Sequence, residues 1–140
     1  MSSVSEHDLA GLAAAARAAR EHAHAPYSRF RVGAALLDEH GRVHSGCNVE
    51  NAAYPQSLCA EAVALGVLIS AGARRVRAVV VAGGDATQAI VPCGGCRQKL
   101  SEFADADTPV ASVDATGWRA RHTLGELLPF GFGPAHVRTP

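Results

Sequence analysis

Two short stretches hold the residue types that could do chemistry: Cys59-Ala60-Glu61 and Pro92-Cys93-Gly94-Gly95-Cys96. Three thiols in a one-plus-two arrangement offer soft anionic donors to zinc, and a tetrahedral ion with three protein ligands keeps a fourth position open to water. This is a catalytic layout, since four protein ligands would close a structural site. Glu61, two residues after the first thiol, then reads as a proton carrier beside the metal and not as a ligand. Cys47 is the remaining thiol. As a fourth ligand it would close the site and leave Glu61 without a task; as a small buried hydrophobe it leaves the site open. A Cys-x-x-Cys pair also occurs in redox motifs, but a redox reading leaves Cys59 unexplained.

The elements that must position these residues follow from the local pattern. Ser5 with Asp8 resembles a capping box, and Leu9, Leu12, Ala13 and Ala16 follow at helical spacing, which predicts a helix over about 6–24 that Pro26 ends. Its alanine content gives high helix propensity and a slim face for packing on a sheet. Phe30 to Leu37 and Val43 to Asn48 read as a hairpin around the turn at 38–41. Both faces of the first strand are apolar or small, so it should be covered on both sides. Asn48, Glu50, Asn51 and Tyr54 form a polar loop before Cys59, placed to meet a bound substrate.

A helix over about 58–71, with Gly72 as its stop, puts Cys59 at its start, and Cys93 to Cys96 open another that reaches about Phe103. Helix N-termini favour thiolates, the form that binds zinc. Val76 to Ala82 and Val110 to Val113 read as strands, and Leu124 to Leu128 as a last helical turn or two before an irregular aromatic tail. The fold class is α/β: a three-layer α/β/α sandwich, with a mixed sheet of about five strands and helices on both faces, in a single domain over 1–140.

Composition bounds the partners. At 140 residues, 48% hydrophobic and 19% charged, the chain can bury a core of its own. Formal net charge is zero, so the electrostatic footprint of a phosphate-backbone binder is missing; no nucleic-acid partner is expected, and Arg74, Arg75 and Arg77 read as a solvated helix exit. A zinc-stabilised RNA-interaction module is disfavoured on the same ground. No signal peptide or membrane-length apolar run is visible, so a cytoplasmic address with reduced thiols and no membrane partner is expected. His7, His22, His24, His40, His44, His122 and His136 show no ligand spacing, and surface positions are expected for them.

The run Pro26-Tyr27-Ser28-Arg29-Phe30, then Val32-Gly33-Ala34-Ala35, Gly46-Cys47-Asn48-Val49-Glu50-Asn51, Tyr54-Pro55, the two thiol stretches with Arg97-Gln98, and Glu126-Leu127-Leu128-Pro129 resemble the cytidine deaminases of the small homotetrameric type, over about residues 8–133. The resemblance implies hydrolytic deamination of cytidine and 2′-deoxycytidine in pyrimidine salvage. Cys59, Cys93 and Cys96 would hold one Zn²⁺ per subunit. A zinc-bound hydroxide would attack C4 of the base while Glu61 shuttles protons. It further implies that Asn48 and Glu50 meet the ribose hydroxyls, that Phe30 and the backbone of Ala60 meet the base, and that Tyr27 and Tyr54 lie near the pocket and the subunit boundary. Phe132 would reach into the active site of a neighbouring subunit of a homotetramer.

Many family members carry an arginine directly after the catalytic glutamate, where it offsets thiolate charge; this chain has Ala62. The helix N-termini, with Arg97 as helper, are expected to take over that compensation. Relatives that inactivate the cytosine-containing antibiotic blasticidin S also lack the arginine, which makes such an antibiotic or a modified cytosine nucleoside the alternative substrate. They do not share the Asn-x-Glu pair found here as Asn48 and Glu50.

Overall fold

The computed structural model describes residues 3–85 and 87–137. Five strands form one sheet: β1 (Gly33–Asp38), β2 (Val43–Cys47), β3 (Val76–Ala82), β4 (Pro109–Val113) and β5 (Trp118–Thr123). Their order is β2-β1-β3-β4-β5, with β3 and β4 parallel and the other neighbours antiparallel. Strand alternation sorts the core into two halves. Ala35, Leu37, Ala78, Val80, Ala82, Ala111 and Val113 face helix α1 (Glu6–Arg20). Ala34, Leu36, Val79, Val81 and Val110 face the other way, under α2 (Ala60–Ser70), α3 (Gly94–Ser101) and α4 (Leu124–Leu127). The expected three layers are therefore present.

Small residues let the layers approach closely. A Cβ on Gly33 would lie 1.9 Å from the Ala16 carbonyl oxygen, so α1 sits almost on the backbone of β1. The predicted capping box is formed: Asp8 N–H donates to Ser5 Oγ and Ser5 N–H to Asp8 Oδ2, each at 3.0 Å.

Several expectations are corrected. Helix α1 stops at Arg20, short of 24, because His24 N–H donates to the Asn48 carbonyl and draws the chain into a bridge with Val49. Strand β1 starts at Gly33, not Phe30, because the backbone of Phe30 and Val32 is engaged by the Asn48 side chain. Helix α3 ends at Ser101, two residues before Phe103. His44 is buried, since β2 turns it inward to meet Asp38 at 2.7 Å. Arg74 and Arg75 lie in the loop after α2 with their amides on the Glu39 carboxylate, Arg75 pairs with Asp105, and Arg77 belongs to β3, so the three are not one solvated helix exit. Strand β5 was not foreseen; its sequence is largely polar and none of its residues is fully buried, as befits a sheet edge.

Candidate active site

Helices α2 and α3 begin side by side. Cys59 is the N-cap of α2 and Cys93 the N-cap of α3, both with extended backbone, and Cys96 lies in the first turn of α3. The three Sγ atoms lie within 4.8 Å of one another. Zn–S bonds of about 2.3 Å at tetrahedral angles require sulfurs about 3.8 Å apart, and Cys59 and Cys93 are separated by 3.9 Å. The donor set thus fits a thiophilic tetrahedral ion. Cys47 stays in β2, paired with Gly33, and is not part of the cluster.

The electrostatics are divided among the thiols. Burial, followed by the neighbouring Cys93, pushes the Cys59 thiol up. Burial and then the Glu61 carboxylate push Cys96 further in the same direction. For Cys93 burial also opposes ionisation, but the Cys96 amide and the neighbouring thiols outweigh it and bring the group down. A cation at the centre of the cluster is what would let all three ionise together.

A cavity of about 400 Å³ opens beside the thiols, and Phe30, Asn48, Glu50, Cys59, Ala60, Glu61 and Cys93 all line it. Glu61, in the first turn of α2, is 5% exposed, and this burial holds its carboxyl above the usual carboxylate range. Glu61 lines the same cavity as Cys59 and Cys93, and its charge opposes ionisation of all three thiols. A carboxyl held up by burial is suited to accept a proton and release it again.

Two polar side chains of the cavity lining, Asn48 and Glu50, are already engaged. Asn48 accepts from Val32 N–H at 2.9 Å and donates to the Phe30 carbonyl at 2.8 Å. Glu50 accepts from the amides of Tyr27 and Ser28, both at 3.0 Å, and from the Ser28 hydroxyl. Loop residues 48–58 are pinned by bonds between Val49 and Leu58.

The remaining predicted residues lie outside the main cavity. Tyr54 lines an adjoining space of about 260 Å³ with Tyr27, and the two rings meet edge to face at 5.7 Å. Phe132 is 58% exposed on the C-terminal arm and stacks on His136; it does not line its own chain's cavity. Arg97 directs its guanidinium to two backbone carbonyls, Pro92 at 2.7 Å and Leu127 at 2.9 Å, and so ties the start of the Cys93 loop to the end of α4. Sequence reasoning gave no role to Ser28, which lines both spaces and touches Glu50. Its position two residues before Phe30, where a serine hydroxyl reaches the amide two residues on, was the available signal.

Residues 6–112 match the family model described as the cytidine and deoxycytidylate deaminase zinc-binding region. The cytidine deaminase of Sporosarcina psychrophila is 42% identical over 125 residues, covering 89% of this chain and 91% of that protein. That of Halalkalibacterium halodurans is 46% identical over 114 residues, covering 81% and 86%. The crystal structure of cytidine deaminase from Burkholderia pseudomallei superposes with a TM-score of 0.82 at 42% identity, covering 91% of this chain and 99% of that one.

Proposed function

We propose that this chain, which belongs to the cytidine and deoxycytidylate deaminase family, is a zinc-dependent enzyme that converts cytidine and 2′-deoxycytidine, with water, to uridine and 2′-deoxyuridine and ammonia. The observation that carries the reading is a buried carboxyl, Glu61, lining the same cavity as Cys59 and Cys93 of a cluster whose three sulfurs lie within 4.8 Å of one another.

Cys59, Cys93 and Cys96 would hold one zinc ion per subunit, and the bound ion supplies the Lewis acidity that makes a water acidic near neutral pH. The N-termini of α2 and α3 stabilise the three thiolates. Glu61 takes a proton from the attacking water and delivers it to N3 of the pyrimidine, which makes C4 more electrophilic. As the water oxygen bonds to C4, Glu61 takes the second proton, from the new C4 hydroxyl, and passes it to the amine; the C4–N bond breaks, ammonia leaves and the uracil carbonyl remains. Phe30 and the Ala60 backbone meet the base, and Asn48 and Glu50 meet the sugar. Arg97 acts from behind, by fixing the loop that presents Cys93.

The remaining assignments extend the same reading: a single domain over 1–140, a homotetramer in which Phe132 serves a neighbouring active site, a cytoplasmic address and a role in pyrimidine salvage. Exposed Phe30, Tyr54 and Leu58 around the cavity support a partner subunit covering its mouth. No helix among the described residues is long and apolar enough to cross a membrane. Ala62 favours a second reading, deamination of a cytosine-bearing antibiotic or modified nucleoside; Asn48 and Glu50 at the cavity favour the nucleoside.

The test is the ultraviolet loss of the cytosine chromophore on incubation with cytidine or 2′-deoxycytidine, with ammonia measured in parallel. Stoichiometric uridine or deoxyuridine and ammonia are expected. A zinc-loaded, folded sample that leaves both nucleosides untouched would refute the substrate assignment.

A further inference from the structure

Residues 25–30 lie outside the strand ladder of the sheet, held by side-chain and turn bonds, and Ser28 and Phe30 among them line the cavity. Arg29 N–H closes a turn onto the Ala25 carbonyl at 2.9 Å, and Arg29 itself has φ +58°, a conformation disfavoured for a residue with a side chain. The flanking residues meet at one hydroxyl: Ser28 Oγ donates to Glu50 Oε2 and accepts from Phe30 N–H at 2.9 Å. Ser28 thus touches both the carboxylate at the sugar end of the cavity and the backbone of the aromatic residue that lines it.

The hydrogen-bond inventory gives this contact a direction. A hydroxyl has one proton to donate, and an ionised carboxylate has about four lone-pair directions. Glu50 Oε1 already accepts two amides, from Tyr27 and Ser28. Oε2 accepts the Ser28 proton, which leaves it one direction free for a donor arriving from the cavity. Without the Ser28 hydroxyl, Oε2 gains a second open direction, and the carboxylate is held by the two amide bonds to Oε1 alone. Phe30 N–H loses its acceptor in the same step.

We propose that Ser28 is a positioning residue for the sugar: its hydroxyl aims the free lone pair of Glu50 at the sugar hydroxyls. This rests on the reading of the cavity as a nucleoside site with its sugar at Glu50. The hydrogen bond from Ser28 also holds the Glu50 carboxyl below its ordinary range, which keeps it an acceptor.

The experiment compares wild type, Ser28→Ala and Ser28→Thr on cytidine and on 2′,3′-dideoxycytidine, which lacks the hydroxyls that Glu50 would receive. Loss of one hydrogen bond to a charged group predicts a KM for cytidine raised about tenfold in Ser28→Ala, with kcat changed less than about threefold. Ser28→Thr keeps the hydroxyl and should restore KM. On the dideoxy substrate, kcat/KM of wild type and Ser28→Ala should agree within about twofold. Because both substrates are measured on one protein sample, any loss of folded protein cancels. An unchanged KM, an equal loss on both substrates, or a Thr variant as impaired as Ala would overturn the proposal. A wild-type enzyme inert toward cytidine would overturn the nucleoside reading as well.

Discussion

Replacing Gly46 by alanine should disable the enzyme without touching any residue of the cavity. Gly46 lies in β2 opposite Ala34, and a Cβ there would fall 2.6 Å from the backbone nitrogen of Ala64 and 2.8 Å from Val63 Cγ1. Ala64 N belongs to the middle of α2 and can withdraw only with the helix. Reaching the 3.4 Å at which ordinary contact begins requires α2 to retreat by 0.8 Å. The same helix carries Glu61 in its first turn and Cys59 at its cap. Overpacking of this kind costs about 1–3 kcal/mol, a fall in melting temperature of about 3–10 °C for a chain of this length. A shift approaching 1 Å at the reacting groups lowers turnover by on the order of a hundredfold.

The assay pairs thermal unfolding with kcat/KM for cytidine. Gly66→Ala is the internal control: it sits on the same helix with nothing within 4 Å of its Cβ, and should keep full activity while gaining about 0.5–1 kcal/mol from helix propensity. A Gly46→Ala protein that melts within about 1 °C of wild type and retains its activity would refute the claim that β2 sets the position of α2.

The Asp38 cluster predicts a pH dependence of stability. Burial opposes ionisation of Asp38, but bonds from His44, from the Arg42 and His40 amides, and the Arg42 charge outweigh it and bring the carboxyl from 3.8 to about 2. A depressed carboxyl stabilises the fold above its unfolded value, so roughly 2 kcal/mol should be present above about pH 4 and be lost as pH falls toward 2. Asp38→Asn should remove that acid-dependent component in urea titrations at successive pH values; an unchanged slope would contradict it. Arg97→Ala breaks the two bonds to Pro92 and Leu127 carbonyls and should cost about 2 kcal/mol. It should also speed zinc loss to a chelator, and an unchanged melting temperature with an unchanged zinc off-rate would remove Arg97 from the account.

What the sequence reveals depends on how local the cause is. Strand β3 is legible from its β-branched run, and its observed span, Val76–Ala82, is the expected one. The capping box at Ser5 is legible because its two partners are three residues apart. The proximity of Cys59 to Cys93, 34 residues away, was legible only through the shared metal chemistry, since nothing in either segment alone requires it. Strand β5 escaped notice because an edge strand needs few apolar residues, and Trp118-Arg119-Ala120-Arg121-His122-Thr123 has no alternation strong enough to mark it. His44 and Ser28 escaped for another reason. Their partners, Asp38 and Glu50, are set by the turn and by loop closure, and neither bond is written in local periodicity.

In the proposed mechanism Glu61 carries protons while the three cysteines hold the metal. The most direct measurement is the zinc content of Glu61→Gln together with its turnover of cytidine. About one zinc per chain is expected, as in wild type, with turnover lower by at least about a thousandfold. Loss of zinc would make Glu61 part of the metal site, and substantial residual turnover would take the proton transfer away from it; either result would contradict the mechanism.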